Sequence, residues 1–237
     1  MPQPRQTANG RTVPSSRSKR GAILEVATEL FGRDGYEHSK WADVATEVGI
    51  GSTALYHYFE SKLHSLYVIM ADAVEADLKE FENVTKDSDD YVGSLVTILR
   101  RLYELDEQEV MRNRVLVSEQ FLVGIHRESP REEEARQLAR ARMRDLEFAW
   151  ATFLSRGMEQ GAIPEADPRL LTRAVLGLHN SVWHWYRPRG PLPLEEVSDF
   201  YVRRCLAVLG LPPEAADEGQ APARKSPKRA QARSAAA

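Results

Sequence analysis

Cysteine occurs once in the 237 residues, at Cys205. A single thiol excludes an internal disulfide framework and any metal site built from several cysteines. No uncharged apolar run approaches the roughly 18 residues of a membrane span. The N-terminus is polar and basic and lacks the apolar stretch of a secretory leader. Glycine-rich phosphate loops, nucleophile elbows and metal-ligand clusters are also missing from the sequence. These absences predict a cytoplasmic protein without a membrane partner. They further predict no enzymatic activity, no catalytic residue, no cofactor and no metal.

What is present is a globular composition, with 42% hydrophobic and 28% charged residues. The length suffices for one large or two modest domains. The net charge of -3 hides an uneven distribution. Residues 1–20 carry Arg5, Arg11, Arg17, Lys19 and Arg20 and no acid. Residues 219–237 carry Arg224, Lys225, Lys228, Arg229 and Arg233, again without an acid. Between them stand 22 bases against 35 acids. An acidic body thus carries two basic ends, which either meet phosphate backbones or serve as solubilising tails.

Residues 1–16 are polar and aperiodic and read as a disordered basic arm. Residues 212–237 are of low complexity and read as a disordered basic tail. Between the two, helical periodicity runs almost throughout, and the fold class predicted is all-α, with about nine helices. A first apolar stripe is Ile23, Ala27, Leu30 and Phe31; a second is Trp41, Val44, Ala45 and Val48, stopped by Gly49. A very short element, Ser52 to Tyr58, precedes a long helix opened by Ser61. Later helices are expected over Tyr91–Leu105, Glu107–His126, Pro130 to about Gln160, Pro168–Tyr186 and Leu194–Leu209.

Residues 36–62 carry the chemistry. They read as helix, glycine-containing turn, short helix. Ile50 and Leu55 plug the space between the two helices, and Phe59 is a core aromatic. Ser52, Thr53, Tyr56 and His57 face outward, a set suited to a helix laid in the DNA major groove. Lys62, at the start of the next helix, is placed to meet a phosphate.

The run Gly49-Ile50-x-x-x-x-Leu55-Tyr56-x-Tyr58-Phe59-x-Ser61-Lys62 resembles the TetR family of transcriptional repressors, with Phe31, Gly35-Tyr36 and Val44-Ala45 in register upstream. The match runs from Ile23 to about Leu66. The resemblance implies a three-helix helix-turn-helix DNA-binding head (17–66) on a larger helical ligand-binding and dimerisation body (67–211). It implies base reading by Ser52, Thr53, Tyr56 and His57, and phosphate contacts by Ser39, Lys40, Tyr56 and Lys62. The partners implied are a double-stranded DNA operator, a second copy of the chain as homodimer, and a small apolar ligand. One departure stands out. Gly51-Ser52-Thr53 replaces the frequent Ser-Lys-Gly, and residues 21–66 hold three bases against seven acids. The basic arm is therefore expected to supply attraction that the head lacks.

Gly157-x-Glu159-x-Gly161 and Trp183-His184-Trp185-Tyr186-Arg187-Pro188 resemble an actinobacterial branch of that family, which includes repressors of sterol and fatty-acid catabolism released by acyl-CoA thioesters. Ligand candidates are Leu99, Tyr103, Phe121, Phe148 and Trp183 for an apolar body, and Arg187 for a phosphate. Spacing alone does not separate cavity wall from plain core, and Arg187 reads equally as a local partner of a helix C-terminus. His179 and His184, five apart, are poorly spaced to share a metal. Ala149, Phe153, Leu171, Val175 and Leu178 are candidates for the dimer seam. The function expected is a ligand-responsive transcriptional repressor. The alternatives are a regulator sensing a hydrophobic drug or other non-CoA metabolite, and a helical protein-binding adaptor.

Overall fold

The computed structural model describes residues 16–86 and 90–218. Nearly all of the expected arm, and residues 219–237 of the expected tail, lie outside the described residues. Among the described residues every regular element is helical. Helix α1 (Ser16–Asp34) starts on the last residue assigned to the arm, and its stripe of Ile23, Ala27, Leu30 and Phe31 is buried as the periodicity predicted. Helix α2 (Trp41–Val48) ends where Gly49 adopts a left-handed φ of 72°. The Ile50 N–H then reaches the Ala45 carbonyl and the Gly49 N–H the Thr46 carbonyl, a reversal that favours glycine. The turn feeds α3 (Ser52–Tyr58), whose Leu55 is fully buried, as is Phe59 just beyond it. Seven residues are too few for a stable isolated helix, so these two side chains hold it in place.

Helix α4 (Lys62–Thr85) is capped by the Ser61 hydroxyl, which accepts from the His64 N–H. Helix α5 (Tyr91–Arg101) is capped by Asp90, and α6 (Glu107–Glu119) by a reciprocal box between Asp106 and Glu109. The helix expected to continue to His126 instead tightens into a 3-10 turn at Gln120–Gly124. Helix α7 (Pro130–Glu159) opens on Ser129, and α8 (Pro168–Trp185) on Asp167, each with proline at its first position. Helix α9 (Leu194–Val208) follows. A short α10 (Ala215–Glu218) corrects the tail reading: Ala215 and Ala216 are buried, and Arg100 donates to the Ala216 carbonyl at 3.0 Å.

Two apolar clusters form. The head cluster gathers Ile23, Phe31, Val44, Leu55 and Phe59, but also takes Val115 from α6 and Ala135 and Ala139 from α7. The body cluster runs from Phe81 through Trp150 and Trp183 to Leu209. Head and body therefore share packing along α4, α6 and α7. Gly157 explains part of the motif noted above. A Cβ there would stand 2.1 Å from Tyr91 Cζ, so only glycine lets that ring lie across α7 and stack on Phe153 at 4.5 Å.

Candidate functional site

At the head surface Ser52, Thr53, Tyr56 and His57 are all exposed, Tyr56 by 54%, and together form the outer face of α3. Lys40, just before α2, is exposed as well. Ser39 and Lys62 are placed differently from expectation. Ser39 is buried, and its hydroxyl donates to the Leu30 and Gly35 carbonyls at 3.1 and 2.8 Å. Lys62 Nζ donates to the Tyr36 and Ser39 carbonyls at 2.6 and 2.9 Å and lies 4.1 Å from the Tyr36 ring centre. Both side chains bind the α1–α2 connection together rather than face outward. Burial pulls the Lys62 ammonium below its usual pKa. Sequence reading missed Arg20, whose guanidinium lies over the Phe59 ring at 5.0 Å, so a base assigned to the arm's charge is docked on the head.

A second unforeseen feature joins head to body. The Ser129 hydroxyl, the cap of α7, donates to Glu60 at 2.5 Å, and the Ser61 hydroxyl, the cap of α4, donates to Glu132. Each helix cap thus binds a carboxylate at the start of the other helix. Beside them Arg136 is buried, forks onto Glu133 at 2.6 and 2.7 Å, and also donates to the Val123 carbonyl. The guanidinium holds the Glu133 carboxyl well below the usual range. The mixed charges of α7 are therefore not all solvated.

Inside the body, α4 to α8 enclose a cavity of about 110 Å³. Val74, Phe81, Leu102, Leu146, Trp150 and Trp183 form its apolar walls; Asp77, Asn113, Gln120, Glu147, His179 and Asn180 add polar groups. Of the ligand candidates only Trp183 lines it. Leu99 and Tyr103 are buried behind the wall, the Tyr103 ring 5.2 Å from that of His179. Phe121 and Phe148 are 61% and 73% exposed, and neither reaches the cavity. In the 3-10 turn Phe121 faces outward, and the exposed Gln120 edges the cavity. On α7 the inward stripe is Met143, Leu146 and Trp150, with the exposed Glu147 at the cavity's edge, a helical spacing that leaves Phe148 outside. That stripe was readable in the sequence. Arg187 is exposed and donates to the His184 and Tyr186 carbonyls, the local arrangement at a helix end. Missed altogether was Asp77, whose carboxyl burial pushes up to about 6 against the pull of Arg112. His179 accepts at Nε2 from the Trp183 indole N–H at 3.1 Å, and burial lowers its pKa to about 4.

Of the dimer candidates, Phe153 and Val175 belong to the body core. Exposed apolar residues on the last two long helices are Leu170 and Trp185 on α8 and Phe200 and Val208 on α9. Among the described residues no helix is long and apolar enough to cross a membrane, and no cluster of metal-ligating side chains occurs.

A helix-turn-helix head joined by continuous helices to a cavity-bearing helical body is the architecture of a one-component DNA-binding regulator. Residues 23–64 match the family model for bacterial regulatory proteins of the tetR family, and residues 107–209 the tetracyclin repressor-like C-terminal domain. The structure of the TetR family regulator PfmR from Thermus thermophilus is 31% identical and covers 80% of this chain and 97% of its own, with a TM-score of 0.66. The HTH-type transcriptional repressor KstR2 of Mycobacterium tuberculosis (strain ATCC 25618 / H37Rv) is 25% identical over 190 residues, 78% of this chain and 90% of its own. AibR in complex with isovaleryl coenzyme A and operator DNA shares the fold at 24% identity and a TM-score of 0.62, covering 78% of this chain and 97% of its own. The chain belongs to the TetR family of transcriptional repressors.

Proposed function

We propose that two copies of the chain bind a two-fold operator through α3, and that a small, mainly apolar ligand in the body cavity releases them. Ser52, Thr53, Tyr56 and His57 read base edges, and Lys40 meets a phosphate. One observation carries the coupling: α4 and α7 both wall the cavity, and both begin at the cap-to-carboxylate contacts that follow α3. A ligand that swells the cavity favours a different separation of these helices, and hence of the two heads. It lowers DNA affinity only as far as it binds the DNA-incompetent spacing better. The head (17–66) carries the DNA contact and the body (67–211) the ligand and dimer contacts. Leu170, Trp185, Phe200 and Val208 form the seam between copies. A repressor of this kind works in the cytoplasm beside the DNA, and no catalytic role is assigned to any residue.

An acyl-CoA thioester is the ligand class favoured by the motif at Trp183–Pro188, and AibR shows the fold in a complex with one such compound. The acyl group would enter the cavity while the nucleotide stays at the surface, because unpaired buried phosphates are prohibitively costly. Arg187 is the candidate phosphate partner there. A second reading, a non-CoA apolar metabolite, is favoured by the absence of any Lys or Arg from the cavity wall. Titrating the protein onto DNA flanking its own coding sequence tests the proposal. The expected result is a two-fold symmetric footprint, lost on adding an acyl-CoA and less affected by the free acid. Equal binding to unrelated DNA would overturn it.

A further inference from the structure

The cavity wall contains one polar group whose hydrogen-bonding state is fully determined. The Trp183 indole nitrogen can only donate, so His179 Nε2, 3.1 Å away, must be the unprotonated nitrogen. Burial keeps the ring neutral at physiological pH. The remaining proton therefore sits on Nδ1. That N–H is buried and has no partner. The ring is not free to turn and find one, because Tyr103 and Trp183 pack edge-on against it at 5.2 and 5.4 Å. Buried donors without acceptors are rare in native structures, and each calls for an explanation.

The charge of the wall narrows the answer. Asp77 lines the cavity and the exposed Glu147 its edge; no Lys or Arg is in the lining, and Arg112, which pulls on Asp77, is not part of it. A free carboxylate entering here would meet the Asp77 carboxyl and no lining base, a cost that low-dielectric surroundings raise. We infer that the portion of the ligand entering this cavity is uncharged and carries a carbonyl oxygen that accepts the Nδ1–H of His179. A ketone, or an acid masked as ester or thioester, meets both conditions. Size adds a limit. A cavity of about 150 Å³ holds a benzene molecule, so the 110 Å³ here suits a group of about the bulk of a five-membered ring. This inference rests on the proposal that the cavity is the effector site.

The test uses the full chain and four probes of matched size: cyclopentanone, cyclopentanol, cyclopentane and cyclopentanecarboxylate. Binding is read from the fluorescence of Trp150 and Trp183, both in the wall. Nitrogen-resolved NMR of labelled histidine reads the His179 Nδ1–H directly. Cyclopentanone should bind about tenfold more tightly than cyclopentane, the worth of one net hydrogen bond, and should shift the Nδ1–H resonance downfield. The carboxylate should bind most weakly, and cyclopentanol should fall below the ketone. His179→Phe should erase the preference for ketone over hydrocarbon while hydrocarbon binding persists. Should that variant fail to fold, the wild-type series and the NMR signal decide alone. Equal affinity for ketone and cyclopentane, or a carboxylate that binds best, overturns the inference and leaves the cavity as effector site standing. No binding by any probe overturns both.

Discussion

Tyr56 and Lys62, six residues apart, serve different ends. Tyr56 is exposed on α3, so Tyr56→Ala should cut operator affinity at least tenfold with the melting temperature unchanged. Normal operator affinity would remove α3 as the reading helix. Lys62 spends its ammonium on two carbonyls inside the head. Lys62→Ala should therefore lower stability by about 1–2 kcal/mol and leave the salt slope of DNA binding nearly unchanged. A slope lower by about one unit would instead put Lys62 on a phosphate. Asp77 and His179 make stability depend on pH in opposite senses. With its carboxyl raised from 3.8 to about 6, Asp77 contributes stability at acid pH that is lost as pH rises through about 4 to 6. With its ring lowered from 6.5 to about 4, His179 contributes stability that is complete above 6.5 and lost as pH falls toward 4. Asp77→Asn should stabilise the protein at pH 7 by on the order of 2 kcal/mol, with little effect at pH 4, and so expose the His179 slope. Urea midpoints across that range check this; an equal gain at both ends would contradict it.

Among the helices, α4 and α7 matter most, because they connect head and cavity. Their mutual caps can be separated from simple helix capping by Ser129→Asp. Aspartate still caps α7, but it cannot donate to Glu60 and brings a second negative charge beside it. The expected outcome is a folded protein whose operator affinity changes more than tenfold while its affinity for a small ketone in the cavity stays the same. Operator binding equal to wild type would reduce the contact to local capping. Neither partner is visible from periodicity, since Glu60 and Ser129 lie 69 residues apart in sequence. By contrast, the turn at Gly49 and the burial of Leu55 and Phe59 depend on neighbours a few residues away. Those the sequence predicted correctly.

For the whole molecule, the exposed apolar residues of α8 and α9 provide the main test. One α3 makes few base contacts, and a two-fold operator needs two heads about one DNA turn apart, roughly 34 Å. Leu170→Glu combined with Phe200→Glu should yield a folded monomer by light scattering and abolish operator binding. A dimer that persists would move the seam elsewhere. Phe153 and Val175, expected at the seam, lie in the body core, because an apolar helical position reads the same whether it faces a partner or the core.

Period, caps and turn chemistry determined the all-α class, most helix boundaries and the outward set on α3, because each depends on interactions within one or two turns of helix. Lys62 and Ser39 carried the right chemistry for phosphate, yet the α1–α2 connection claims them first through carbonyls more than twenty residues from Lys62. Phe121 and Phe148 were apolar enough for a cavity, but which side chains line it depends on the rotation of five helices about a common space. One 3-10 turn and a single position of helical phase suffice to turn those two rings outward, while the packing of α4 and α8 brings Asp77 and His179 to the wall. Packing, which is set by the whole chain at once, made that choice.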